Sequence, residues 1–130
     1  MLNKSGIDKT TLTAPTQILA NVELQASVGC VVAKSAGVTV GSKTIVKAGT
    51  PVTGSLDALT AAFTAAVTTT GVSNAVGIIL HDVDVTDGAA NATLLIFGFV
   101  NKNRIDATTK AKITTDVVNA LAGKITFLTV

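Results

Sequence analysis

The residues of this chain best suited to chemistry are one histidine and three carboxylates within the segment 75–100, AVGIILHDVDVTDGAANATLLIFGFV. His81, Asp82, Asp84 and Asp87 could form a metal site or a general acid–base pair only if their side chains converge. An extended strand turns alternate side chains to opposite faces, so His81 would face away from Asp82 and Asp84. The spacing therefore predicts a structural histidine, with a partner from another strand or subunit as the alternative.

The same residues begin a calcium-binding loop without completing it. Asp82 and Asp84 fit the first and third positions of an EF-hand loop, but Asp87 stands where glycine is required and Thr93 where glutamate is required. Asp87 and Gly88 instead predict a turn in which the Asp side chain bonds nearby backbone N–H groups. Loose calcium binding at this turn remains an alternative.

The chain has few residues that could form other catalytic motifs. Cys30 is the one cysteine, which excludes an intrachain disulfide, and its setting VGCVVAK predicts a small buried side chain. A Cys30–His81 nucleophile and base is the weaker alternative. The chain has no glycine-rich phosphate loop, no nucleophile elbow and no second histidine or cysteine to complete a metal set. We therefore expect no enzyme activity, no cofactor and no metal.

The composition indicates an assembly component. Of 130 residues, 48% are hydrophobic and only 14% charged, against roughly 25% charged in ordinary soluble domains. A surface so poor in charge predicts that other chains cover part of it. The net charge of +2 is too small to indicate a nucleic-acid or membrane partner, and no apolar run approaches a membrane span.

The elements that would position these residues are mostly strands. Residues 1–24 mix Lys, Ser, Thr, Gly and Pro with isolated apolar residues, which predicts an extended N-terminal arm. Val38–Val46 predicts a hairpin with Gly41-Ser42 as its turn. Two further strands are expected to flank the TDGAAN turn, and KITFLTV is expected to form the last strand.

Two short helices are also expected. LDALTAAFTAAV has apolar residues at helical spacing after Ser55, a suitable N-cap. A second helix should begin near Thr114 or Thr115 and stop at Gly123. The prediction is a mainly β (α+β) fold, in which residues 25–130 form one small mixed β-sheet or barrel-like domain with one or two short helices.

The order of these elements resembles the capsid decoration and head-fibre proteins of tailed bacteriophages. AVGIILHDVDVTDGAANATLLIFGFVNKNRID, followed by a short helix and GKITFL, has the outline of the lambda-like head decoration protein. The likeness covers residues 72–130 best and IVKAGTPV more loosely. The DALTAAFTAAVTTTG segment has no counterpart in that outline.

The resemblance implies a structural virion protein on the outer surface of an icosahedral head. Its partners would be the major capsid protein and two further copies of itself in a homotrimer. The arm would add a strand to a capsid sheet, and we expect Ile7, Leu12 and Ile18 to be its apolar anchors. Alternatives are a tail, baseplate or fibre-base component, and a surface carbohydrate-binding β module, although Trp and Tyr are absent.

Overall fold

A computed structural model describes residues 17–21 and 23–129. It is mostly β, with 41% strand and 14% helix, which confirms the predicted mainly β class. Within these ranges there are eleven strands: β1 Ala26–Val32, β2 Val38–Val40, β3 Lys43–Val46, β4 Pro51–Thr53, β5 Thr64–Ala65, β6 Thr68–Thr69, β7 Val72–Ser73, β8 Gly77–Ile79, β9 Val83–Asp84, β10 Ala90–Asn101 and β11 Ile125–Leu128. The helices are α1 Ala107–Lys110 and α2 Thr115–Ala120, with single 3₁₀ turns at Lys34–Ala36 and Lys102–Arg104.

The longest strand, β10, organises the domain. Its first half pairs antiparallel with β1 and with β8, while its second half pairs in parallel with β11. Leu19 forms an antiparallel bridge with Val100, and the Ala20 N–H donates to the Phe99 carbonyl over 2.8 Å. β10 thus joins the start, the middle and the end of the described chain.

The main sheet, ordered β1-β10-β8-β4-β5, closes on itself at Phe63. Phe63 immediately precedes β5 and forms a parallel bridge with Val32 of β1. Its N–H donates to the Val31 carbonyl and its carbonyl accepts from the Ala33 N–H, both over 2.8 Å. This single connection gives the domain its barrel-like form. The fully or nearly buried side chains of the enclosed cluster are Cys30, Val32, Ala36, Val46, Val52, Phe63, Ile79, Val85 and Leu94.

A second apolar cluster lies on the other face of the main sheet. It joins the α2 side chains Val117 and Leu121 to sheet residues such as Ile78 and Leu95. Adjacent strand residues point to opposite faces, so the side chains of Ile78 and Ile79 pack into different clusters. Burial on both faces explains why β8 is entirely apolar.

A three-stranded sheet, β2-β3-β9, packs beside the closed one. The predicted Val38–Val46 hairpin is confirmed, because Val40 lies opposite Lys43 and Gly41 turns the chain with φ 62°. A separate hairpin pairs β6 with β7 and contacts α2.

The helix predicted after Ser55 is wrong. Residues 56–60 form turns, and the Ser55 hydroxyl accepts from the Asp57 N–H over 3.2 Å as a local turn. Phe63 and Ala65 are extended, so their side chains enter the enclosed cluster. The extended conformation buries Phe63 completely, and that burial stabilises it.

The second predicted helix is confirmed as α2. The Thr114 hydroxyl accepts from the Val117 N–H over 3.4 Å as an N-cap. The helix ends at Ala120 with Leu121 as its C-cap, before the predicted stop at Gly123, whose φ of 81° lies in the turn that leads to β11. The predicted final strand is confirmed as β11. None of the helices in the described part of the chain is long and apolar enough to cross a membrane.

Candidate functional site

The segment around His81 bends between two sheets instead of forming the one continuous strand predicted from the sequence. Strand β8 of the main sheet ends at Ile79, and strand β9 of the three-stranded sheet begins at Val83. The side chain of Asp82 lies in this bend, where its Oδ1 accepts from the Ala48 N–H over 2.7 Å. Its Oδ2 lies 3.7 Å from the Lys47 ammonium nitrogen. Asp82 therefore connects the bend to the turn that follows β3, through one hydrogen bond and one ion pair.

Asp84 has a different structural partner. Its Oδ1 accepts from the Thr86 hydroxyl over 2.6 Å and from the Thr86 N–H over 2.9 Å. These two hydrogen bonds, helped by the Lys43 ammonium 3.8 Å away, hold the pKa of Asp84 below its usual range. The predicted turn at Gly88 is confirmed, with the Gly88 N–H donating to Val85 over 3.0 Å. The carboxylate that binds the turn backbone is Asp84 rather than the expected Asp87.

His81 is half-buried and joins neither carboxylate. Its Nδ1 is buried without a hydrogen-bond partner in the described part of the chain. The bonds made by Asp82 and Asp84 go to backbone, threonine and lysine groups instead. Among residues 17–21 and 23–129, no group of three His, Cys, Asp or Glu side chains could hold a metal ion. The geometry thus supports structural roles for this segment.

Cys30 is buried in the enclosed cluster, as predicted from its apolar surroundings. Burial raises the pKa of its thiol, because the thiolate would lose its hydration. A protonated thiol is a poor nucleophile. Cys30 therefore packs as a small apolar residue.

A polar cleft of about 250 Å³ lies next to Asp82. Its charged side chains are Lys47, Asp82, Arg104 and Asp106, two of each sign. Asp106 also caps α1, since its Oδ2 accepts from the Thr109 N–H over 3.3 Å. A cleft with balanced charges, most of them already bonded within the chain, suits a polar protein contact better than capture of an ion.

The structure places only one of the three predicted arm anchors. Ile18 is fully buried in the cluster beneath α2, where it has no surface left for a capsid protein. The Ile18 carbonyl accepts from the Asn101 N–H over 2.8 Å, and Arg104 Nη1 lies 3.4 Å from the carbonyl oxygens of both Gln17 and Leu19. The described domain therefore includes residues 17–21, which differs from the predicted boundary after residue 24. Ile7 and Leu12 lie outside the described residues.

Exposed apolar side chains form two surface patches that the sequence did not indicate. On the β6–β7 hairpin, Val67 and Val72 are 57% and 69% exposed and share one face. Near the start of β1, Leu24 is 55% and Phe97 45% exposed, and Phe97 lies opposite Ala26. The signal for the hairpin was Gly71 between the β-branched residues Thr69 and Val72, because glycine suits a two-residue turn.

A comparison with family models, curated proteins and solved structures finds no match for this chain.

Proposed function

We propose that this chain is a structural virion protein that binds the outer surface of a tailed-phage head and stabilises the shell. The observation that carries the proposal is the set of large apolar side chains left exposed on a surface with few charges. Val72, Val67, Leu24 and Phe97 are each more than 40% exposed. Contacts with a capsid protein or with further copies would remove these side chains from water.

The order of elements gives further support. An N-terminal segment leads into a small mixed β domain, then a long apolar strand, a polar connection, a short helix and a final strand. That is the outline by which the sequence resembles lambda-like head decoration proteins. The major capsid protein is then the partner, and a homotrimer is the form that binds.

Within this proposal, the segment before Gln17 attaches the domain to the shell. Ile7 is its outer apolar anchor, and Ile18 belongs to the domain core instead. Deleting Met1–Pro15 should remove head binding while leaving the domain folded, because the described packing begins at Gln17. Retained binding to heads would reject the role of the segment.

The test uses expanded heads of the encoding phage, assembled without this protein. We expect the full chain to sediment with the heads and the Met1–Pro15 deletion to stay in the supernatant. A full chain that stays in the supernatant would overturn the proposal. Phe97→Ser probes the patch near β1, with Thr126→Ser, at an exposed position of β11, as its matched control.

A further inference from the structure

The outer edge of β1 is open along the first five residues of the strand. Phe63 occupies only the far end, through its bonds to Val31 and Ala33. Alternate residues direct their backbone groups to the same edge, so Ser27 and Gly29 direct theirs outward as Val31 does. Within the described ranges no strand pairs with this stretch of edge.

Nothing in the sequence of β1 protects this edge. The strand ASVGCVV has no charged residue and no proline, the usual devices that prevent edge pairing. At seven residues it is also longer than the edge strands β2, β5 and β9, which have two or three. A side chain at Gly29 would meet open space, so the face of the sheet is also open beside this edge. The edge is therefore suited to receive another extended segment.

A cavity of about 240 Å³ lies beside this edge. It is lined by Gly29–Val31 of β1, by Asn91 and Ala92 of β10, and by Leu59 and Thr60 of the loop before Phe63. None of these residues is charged. Open backbone groups beside an uncharged pocket are the two features that recognise an added strand, the first for affinity and the second for a side chain.

The N-terminal sequence contains a segment of matching chemistry. Residues 10–17, TTLTAPTQ, carry no charge, and Leu12 stands between β-branched threonines that favour extended structure. Leu12 would supply the apolar side chain for the cavity. The neighbouring residues Asp8 and Lys9 are charged and mark the outer limit of this neutral segment.

Leu12 cannot reach the cavity of its own chain. Residues 18–20 run antiparallel to the end of β10, so Gln17 lies near Lys102, about ten β10 residues or ~34 Å from the cavity at Ala92. Five residues separate Gln17 from Leu12 and span at most ~18 Å. We therefore propose that the open edge of β1 binds residues 10–13 of a second copy of this chain, with Leu12 in the cavity between Cys30 and Thr60.

Such an exchange links the copies head to tail, since the donated segment and the accepting edge are different surfaces. Contacts of this kind close into rings when the rotation allows it. Ile7 lies five residues beyond Leu12 and stays available for the shell. The inference concerns only the contact between copies, and its tests use the isolated protein without heads.

Disulfide trapping between two co-expressed chains tests the contact. One chain carries Cys30→Ala and Leu12→Cys, and the other, enlarged by a tag, carries Cys30→Ala and Thr60→Cys. Oxidation should give a covalent heterodimer on a non-reducing gel. With Thr39→Cys, an exposed position on β2, in place of Thr60→Cys, the heterodimer should be absent. A Thr60→Cys yield no higher than the Thr39→Cys yield would overturn the proposal.

Sedimentation of Gly29→Lys gives a second readout. Gly29 has room for a side chain, so the variant should still fold, while the added charge opposes pairing at the edge. We expect wild type and Thr39→Lys to sediment as oligomers and Gly29→Lys as a single 13.0 kDa chain. A monomeric wild type, or a Gly29→Lys variant that remains oligomeric, would contradict the contact.

Discussion

Replacing Gly54 with alanine should destabilise the domain, although Gly54 lies at the surface. An added Cβ would lie 2.6 Å from Cδ2 of the Phe63 ring and 2.8 Å from two other ring atoms. These distances are too short for real contacts, and Phe63 is fully buried, with its backbone closing the main sheet. The ring therefore has little room to move away.

The expected size follows from two opposing effects. Gly→Ala at a compatible backbone conformation stabilises by about 0.4–1 kcal/mol, through the entropy of the unfolded chain. Overpacking a filled core costs about 1–3 kcal/mol, and here the ring cannot yield, so the steric cost is the larger effect. We expect Gly54→Ala to lower the free energy of unfolding by about 1–2 kcal/mol, measured by urea denaturation.

A double-mutant cycle with Phe63→Leu tests the cause. Leucine keeps Cγ and a Cδ atom but removes Cε2 and the rigid ring, so its smaller side chain can move away from the added methyl group and Gly54→Ala should cost less in the Phe63→Leu background than in the wild type. The Phe63→Leu variant alone should still be folded, because it removes less apolar volume than Phe63→Ala, which would cost about 3–5 kcal/mol. A neutral Gly54→Ala, or strictly additive effects in the cycle, would refute the reasoning.

Three further predictions concern the turns. Thr70 has φ 52° in the β6–β7 turn, a region that a β-branched residue rarely adopts, so Thr70→Asn should raise the free energy of unfolding by about 1 kcal/mol; an unchanged urea midpoint would count against strain there. Asp82→Ala leaves the buried Ala48 N–H without its acceptor and should cost about 1–3 kcal/mol, whereas Asp82→Asn, which keeps an acceptor oxygen, should cost less; equal losses would argue against this role. The pKa of Asp84 is lower in the folded state than in the unfolded chain, so its stabilising contribution is present above the unfolded pKa and is lost as pH falls through the folded pKa. Carboxyl NMR titration should therefore show a low midpoint for Asp84 that rises in Thr86→Val, and a midpoint that the substitution leaves unchanged would contradict the assignment.

Local sequence signals predicted the elements that are stabilised locally. The α2 helix has its own N-cap in Thr114, and the Val38–Val46 hairpin has its turn at Gly41. Neither depends on residues far away in the chain. The same holds for the turn at Gly88, whose hydrogen bonds come from residues within four positions.

Elements that depend on distant contacts could not be predicted in this way. The sequence pattern around Phe63 favours a helix. The backbone of Phe63 nevertheless pairs with Val32, thirty-one residues earlier, and this pairing makes the segment extended. The bend after Ile79 likewise arises because β8 and β9 belong to different sheets. No local pattern marks either event.

The candidate site shows the same division. The prediction that His81 stays apart from Asp82 and Asp84 is confirmed, but not for the predicted reason: His81 and Asp82 lie in the bend between two sheets, and each carboxylate has partners of its own. The open edge beside Gly29 could not be found from the sequence. It is open because Phe63 pairs only with the end of β1, through Val31 and Ala33.

The central claim is that this protein decorates a phage head, and a cryo-electron microscopy reconstruction tests it most directly. Expanded, undecorated heads of the encoding phage would be saturated with the purified chain and reconstructed with icosahedral averaging. The account predicts added density at fixed lattice positions on the outer surface, grouped in threes, into which the described domain fits. A shell with no added density after saturation would contradict it.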